Sequence, residues 1–427
     1  MGLVMAEMKA GYKQIDIGVI PEDWDVFDLG SIAHIKTGSR NNQDKSEGGT
    51  YPFYVRSSHV ERINSYSYDC EAILIPGEGG IGSIFHYING RFDVHQRVYA
   101  ITKFSNAILG RYTYYYLAQH FGKHALQNTV KATVDSLRLP TFKTFQLAIP
   151  KSKEEQKQIA TALSDVDGLI ESLEQLIVKK RDMKTAAMQQ LLTGKKRLPG
   201  FGTSPDIQET TFGSAPKDWI ITTLQSICTF ENGDRGFNYP SKSDFQAAGI
   251  PFVNAGHLKN KKVQLDGVDF ITQEKFDQLG GGKFKVGDIL FCLRGSLGKY
   301  AVIKHPDLFG AIASSLIIIR PKKGCLNSDF FEFYLESEHC ERMIDLFAGG
   351  AAQPNLGGQD LGKFFILLPP TTEEQKAIAA ILSDMDTELN ALEQRLAKAR
   401  SLKTGMMQEL LTGKTRFNTA KTEGVAA

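Results

Sequence analysis

Three strings in this chain have residue types that elsewhere handle phosphates or metal ions. Gly77, Gly79 and Gly82 have the spacing of a dinucleotide-binding turn after an apolar run, where glycines let a pyrophosphate approach a helix N-terminus. The next residues, Ser83-Ile84-Phe85-His86-Tyr87-Ile88, read as strand, and the matching stretch later keeps only Gly295 and Gly298. A tight hairpin is expected instead. Gly413-Lys414-Thr415 imitates the end of a phosphate-binding loop, but Gln408 stands where the first glycine belongs and a helix precedes it. Glu155-Gln156-Lys157 imitates a nuclease ExK, yet it opens a helix with no aspartate-bearing strand before it. Acids belong in a first helical turn in any case. His34, His59, His86, His95 and His257 lack ligand spacing, and the five cysteines form no CxxC pair, so no metal and no disulfide framework are expected. Neither Asn-Pro-Pro-Tyr nor Asp-Pro-Pro-Phe occurs. No catalytic residue and no cofactor of its own are therefore expected.

The remaining chemistry is recognition. Arg, Lys, Asn, Gln and Ser read base edges, and Arg and Lys hold phosphates. Such residues cluster at Arg40, Asn41, Asn42, Gln43 and Lys45, at Arg56, Ser57 and His59, and at Gln96 and Arg97. In the second half the matching places hold Arg235, Asn238, Tyr239 and Lys242, then Asn254, His257 and Lys259, then Arg294 and Ser296. Lys131, Thr133 and Arg138, with Gln353, Asn355 and Gln359 opposite, precede the last strand of each half, where they either line the nucleic-acid face or form a polar turn, the turn being slightly preferred.

The elements that must position these clusters are duplicated. Glu154-Glu155-Gln156-Lys157 recurs as Glu373-Glu374-Gln375-Lys376, and at that offset 25 of the 44 positions from 154 to 197 are identical. A second repeat opens each half: Pro21, Asp23, Trp24, Leu29, Ser31, Gly38 and Arg40 match Pro216, Asp218, Trp219, Leu224, Ser226, Gly233 and Arg235. The two offsets, 219 and 195, differ by 24, so the middle of the second half is that much longer. Residues 1–150 and 216–369 read as globular and mixed α/β, 151–197 and 370–417 as helical, 198–215 as linker and 418–427 as tail. Strands are expected at Ala72–Ile75, Val98–Ile101, Ile289–Phe291 and Leu316–Ile319, the run from Ala311 to Ile319 reading as one buried strand. Helices are expected at Tyr112–His120 and Asp329–Ala348.

Ile159, Leu163, Val166, Ile170, Leu173 and Ile177 are spaced four and three apart, as are Ile378, Leu382, Met385, Leu389, Leu392 and Leu396. This is a heptad seam, which requires a partner helix. Residues 154–174 carry six acids and one base, whereas 175–197 carry seven bases and one acid; 373–393 and 394–416 repeat the contrast. Parallel pairing would set like charge against like, so antiparallel pairing is expected. Some 40 residues of helix make a rod of about 60 Å, and the 18-residue linker spans at most ~60 Å. The expected fold is therefore α/β (mixed α+β), with two globular domains separated by an intramolecular antiparallel coiled coil.

Of 427 residues, 50 are Lys or Arg and 48 Asp or Glu, a net charge of +2. A wholly disordered chain and a strongly basic DNA-binding domain are both excluded. No run approaches the ~18 apolar residues of a membrane span, and reduced thiols fit a cytoplasmic chain.

Two diverged domains, each followed by a near-identical helix, resemble the specificity subunits of type I restriction-modification systems. The carrying residues are Pro150 and Pro369, the Glu-Glu-Gln-Lys-x-Ile-Ala starts, the Gln-x-Leu-Leu-Thr-Gly-Lys ends, and the opening Pro-x-x-Trp at Pro21 and Pro216. The resemblance implies that each domain reads one half of an asymmetric bipartite target in double-stranded DNA. It implies that the paired helices set the spacing and dock two methyltransferase subunits, with restriction subunits joining outside. S-adenosylmethionine, Mg2+ and ATP would belong to those partners. The alternative is a stand-alone DNA-binding or coiled-coil scaffold protein without modification partners. Since neither globular domain is strongly basic, weak DNA affinity is expected from the chain alone.

Overall fold

In each half, the strand that follows the Trp of the Pro-x-x-Trp start returns against the strand that precedes the long helix. Trp24–Asp28 pairs antiparallel with Gln146–Pro150, setting Trp24 opposite Pro150. Ile220–Thr223 pairs in the same way with Phe365–Leu368. The computed structural model describes residues 10–15, 18–128, 136–202, 206–210, 213–348 and 355–417. The chain divides into two units, Met1–Gln175 with Glu393–Ala427, and Leu176–Leu392.

The first unit is built on a six-stranded sheet of β1 (His34–Thr37), β2 (Tyr51–Tyr54), β3 (Val60–Ile63), β4 (Tyr68–Pro76), β5 (His86–Val94) and β6 (Val98–Thr102). The order is β1-β6-β4-β5-β2-β3, and only β2 and β5 run parallel. Helix α1 (Gly110–Gln127) buries Tyr112, Tyr115, Leu117 and Phe121. They join Trp24, Phe142 and Leu147 in a core completed by the start of α2 (Lys153–Leu191) through Ile159, Ala160 and Leu163. The glycine string before β5 is the turn of a hairpin, with Gly79, Gly80 and Gly82 at φ +70°, +61° and +68°. That backbone suits glycine, and a strand rather than a phosphate-binding helix comes after it.

In the second unit the same topology is cut in two. Cys228–Asn232, Leu316–Pro321, Ile289–Cys292 and Tyr300–Val302 form one sheet, and five short strands around Ile250–Val253 form the other. The parallel pair survives, with Phe252 and Val253 opposite Ala311 and Ile312, where the first unit has Phe53 and Tyr54 opposite Asp93 and Val94. The strand Asp269–Ile271 pairs with Ile250–Val253 as β3 pairs with β2, and around it the added length folds as a hairpin (Leu258–Lys259 with Lys262–Val263), a helix (Gln273–Gln278) and Lys283–Phe284. Two expectations change. The run Ala311 to Ile319 is two strands, Gly310–Ile312 and Leu316–Pro321, because the turn between them bonds Leu316 N–H to the Ala313 carbonyl. Asp329–Ala348 is two helices, α3 (Ser328–Leu335) and α4 (Glu338–Ala348). Ser337 separates them: its hydroxyl donates to Tyr334 O (2.6 Å) and accepts from Cys340 N–H (3.3 Å), competing with the helix ladder. Part of the expected linker is also ordered, since Ile207–Thr210 and Gly213–Pro216 form a hairpin.

The last helix, α5 (Thr372–Leu410), contributes to both units. In the first, Glu155, Asp167 and Glu174 pair with Arg416, Lys403 and Arg400, in opposite sequence order. In the second, Lys180, Lys184 and Arg197 pair with Glu388, Asp386 and Glu374. Each unit thus holds an antiparallel pairing of an acidic helix half with a basic one. Ile159, Leu163, Leu173, Ile177, Ile378, Leu382 and Leu389 are buried, and Val166, Ile170, Met385, Leu392 and Leu396 are half-buried.

Asp23 tests the end of this pairing. A hydrogen bond from Arg416 holds its carboxyl below the usual range against the opposing effect of burial. A carboxylate depressed on folding contributes stability above its unfolded pKa, about 4, and that contribution disappears as pH falls further. The first unit of Asp23→Asn is therefore expected to melt slightly lower at pH 7 and with less acid dependence between pH 4 and 2. Exposed pairs of this kind contribute at most about 1 kcal/mol, and identical acid profiles in calorimetry would contradict the assignment.

Candidate nucleic-acid interface

The polar clusters of the first domain, dispersed over residues 40–97, meet through backbone hydrogen bonds. His95 N–H bonds the Tyr54 carbonyl at 3.0 Å, Gln96 N–H the Arg40 carbonyl at 2.8 Å, and Gly77 N–H the Arg97 carbonyl at 2.8 Å. Leu137 N–H then bonds the Gly77 carbonyl at 2.8 Å, bringing in exposed Arg138. This crossing requires Gly38, which lies against the Val94 carbonyl, and its repeat Gly233, which lies against Ile312 and Ala313.

Side chains on the resulting surface fall into two groups. Arg40 is committed inward, donating to Asp93 (3.1 Å), itself 1% exposed, and to Ser65 (3.2 Å). His95 is buried, and its Nδ1 accepts from Arg97 N–H at 3.0 Å. Burial, then the charges of Arg56 and Arg97, hold its pKa down, so it is neutral at pH 7 and serves the loop. Arg56 and Arg97 are half-exposed and share one carboxylate, Glu78, at 3.3 and 3.4 Å. Exposed pairs of this kind contribute ~0–1 kcal/mol, so both guanidiniums can turn to a phosphate or base at little cost. Asn41 accepts from Gln96, Lys45 pairs with Glu61 at 3.3 Å, and Ser57 bonds the His59 carbonyl. Asn42, Gln43 and His59 are exposed.

The second domain repeats the convergence with other residues. Arg235 donates to the Ser314 carbonyl (3.3 Å), and Leu293 N–H bonds Ser315 O at 2.9 Å, so the Arg294 turn adjoins. Arg294 in turn donates to Asn355 Oδ1 at 3.1 Å. Asn238 donates to the Gln278 carbonyl at 2.9 Å. Asn254 and His257 serve each other's turn: Asn254 N–H bonds His257 Nδ1 at 3.1 Å, and Asn254 Oδ1 accepts from Gly256 N–H at 2.8 Å. Lys242, Lys259, Ser296 and Gln359 are exposed, the last in the short helix Gly358–Gly362. Lys131, Thr133 and Gln353 lie outside the described residues.

Sequence reasoning missed Asp93, Glu78 and Asp234, because acids draw no attention in a search for cations, and it missed the fully exposed Phe237. No catalysis is expected of the Glu-Glu-Gln-Lys string, and its buried Gln156 instead anchors backbone. It bonds three groups, Leu109 N–H, Ala107 O and Pro150 O, at 2.8–2.9 Å. Among the described residues no cluster of His, Cys, Asp or Glu could hold a metal ion, and no helix is long and apolar enough to cross a membrane.

Comparison with known proteins agrees with this duplicated plan. The family model described as "Type I restriction modification DNA specificity domain" matches residues 21–179 and again 216–399. The putative type I restriction enzyme MjaX specificity subunit of Methanocaldococcus jannaschii is 27% identical over 438 residues, covering 96% of this chain and 97% of its own. The type I restriction enzyme EcoDI specificity subunit of Escherichia coli is 26% identical over 181 residues, 42% of this chain and 40% of its own. A crystal structure of the S subunit of a type I restriction-modification system from M. genitalium shares the fold, with TM-score 0.61 at 17% identity over 91% of this chain and 96% of the other. With both copies of its domain matched in the places where the repeats lie, the chain belongs to the type I restriction-modification specificity subunits.

Proposed function

We propose that this chain is the non-catalytic reader of a type I restriction-modification complex, each globular domain recognising one half of an asymmetric, bipartite DNA target. One observation carries the reading: the converging loops differ between the two domains, whereas the helix parts repeat. Arg56, Arg97, Asn41 and Gln96 stand in one set, and Arg235, Asn238, Arg294 and Asn355 in the other. Different side chains at matching places select different bases.

The repeated parts suit identical partners. Exposed Met183 and Leu402 occupy matching positions, 45% and 55% exposed, each next to a lysine paired across the seam. Two methyltransferase subunits docking on these helices would supply the chemistry and much of the salt-sensitive phosphate binding, with restriction subunits outside them, all in the cytoplasm. The helical pair would then set the distance between half-sites, as dimer geometry does for operators.

Exchanging residues 1–150 for the first domain of another such subunit is expected to change one half-site of the methylated motif and leave the other and the spacer intact. Methylation mapping in cells reads this directly. Change in both half-sites, or one short continuous motif, would overturn the reading.

A further inference from the structure

Phe237 is the most exposed large apolar side chain of the described residues, with its whole ring in solvent. Leaving a phenyl ring in water costs about 2–3 kcal/mol relative to burying it, and a flexible tip would fold it away. This tip is fixed on both sides. The Asp234 carboxylate accepts from Gly236 N–H (2.7 Å) and Gly280 N–H (2.8 Å), and these amides hold it ionised by lowering its pKa. Asn238 Nδ2 bonds the Gln278 carbonyl at 2.9 Å, Tyr239 N–H bonds Gly236 O at 3.1 Å, and the Tyr239 ring packs edge-on against Phe252.

Two of those braces, Gln278 and Gly280, belong to the added length that only the second domain has. That segment is anchored at its other end. Its hairpin turns on Asn260 and Lys261, at φ 51° and 60°, and Lys261 reaches Glu336 and, at 3.6 Å, Asp386 of α5. The addition thus ties the Phe237 loop to the helix on which the domain stands.

The surroundings of the ring select its occupant. Arg235 is two residues away, and the Arg294–Asn355 pair stands on the adjoining turn. An aromatic ring set rigidly among arginines and amides suits a nucleic-acid groove, where apolar side chains contact the thymine methyl group. A surface for a partner common to both halves would repeat, as the helices do. This one does not: the matching loop of the first domain holds Asn41 and Asn42. We infer that Phe237 is a specificity-determining residue of the second half-site, making an apolar contact with the 5-methyl group of a thymine in the major groove. The inference rests on the reading of the chain as a specificity subunit.

The test uses the assembled complex with its methyltransferase, wild type and Phe237→Ala, once methylation mapping has defined the target. Duplexes carrying uracil for each thymine of the second half-site, one at a time, are compared in binding. Wild type is expected to lose about fourfold at one position, the worth of one buried methyl-sized group, and Phe237→Ala to be indifferent there while keeping its melting temperature. Its methylated motif should relax at that position alone. Equal sensitivity of both proteins at every uracil, an unchanged motif, or loss of methyltransferase co-purification instead would overturn the assignment. Failure of the wild-type complex to bind any sequence specifically would overturn the specificity-subunit reading itself.

Discussion

Gly38→Ala is expected to lower the melting temperature of the first unit by about 6–12 °C, the equivalent of 3 kcal/mol or more. A β-carbon at Gly38 would stand inside the Val94 carbonyl, with the His95 carbonyl 2.8 Å away. Both obstacles are backbone, so no rotamer change relieves them. Moving the chain away would break the Gly38 N–H bond to Val98 O (3.2 Å) and the Arg40 N–H bond to Val94 O (3.3 Å). Those bonds hold the candidate interface together, so sequence-specific binding by the complex should fall with stability. Gly233→Ala meets Ile312 O at 2.7 Å and the Ala313 carbonyl at 2.9 Å, and should cost the second unit roughly half as much. Calorimetry on the two variants decides; a Gly38→Ala protein melting within a degree or two of wild type would refute the close crossing.

Gln156→Leu should cost a comparable amount, about 3–5 kcal/mol, by another mechanism. The leucine fills similar space but leaves the Leu109 N–H and the Ala107 and Pro150 carbonyls without their partner, and Gln156 is fully buried. An unmade hydrogen bond at a buried group costs about 1–3 kcal/mol. Because these groups join the entry of α1 to that of α2, the loss should loosen the domain from its helix. Gln375 makes two such bonds, from Asn327 N–H (2.8 Å) and to Cys325 O (3.3 Å), so Gln375→Leu should cost less, about 2 kcal/mol. Urea unfolding followed separately in each unit checks the ranking. A Gln375→Leu effect larger than that of Gln156→Leu would show that the anchors do not carry the load assigned to them.

Both residues lie in repeated strings, and the contrast between repeat and divergence explains how far the fold could be read. Duplication of Pro21 to Arg40 and of Glu154 to Arg197 marks two domains and two helices before any contact is known. The heptad seam is legible because 3.5-residue periodicity is a local property, and all twelve seam residues are at least half-buried. Breaks within elements were not legible. The turn at Ala313 and the Ser337 interruption depend on one or two hydrogen bonds within stretches that pattern alone reads as continuous.

The candidate interface divides along the same line. Residue type was enough to single out Arg56, Arg97, Arg235 and Arg294, because cations and amides are the groups that bind nucleic acid. Type cannot distinguish Arg40, turned inward to buried Asp93, from Arg97, free to leave Glu78. It cannot assign Asn254 and His257 to each other's turn or show the ring of Phe237 standing in water. Those distinctions depend on which loops meet, and loops far apart in sequence meet only through the tertiary crossing at Gly38 and Gly233. The plan of two globular domains and a charge-matched helix pair follows from local periodicity, repetition and charge, all properties of neighbours along the chain. Which side chains face outward is a property of neighbours in space, decided by burial and hydrogen bonding once the sheets have closed.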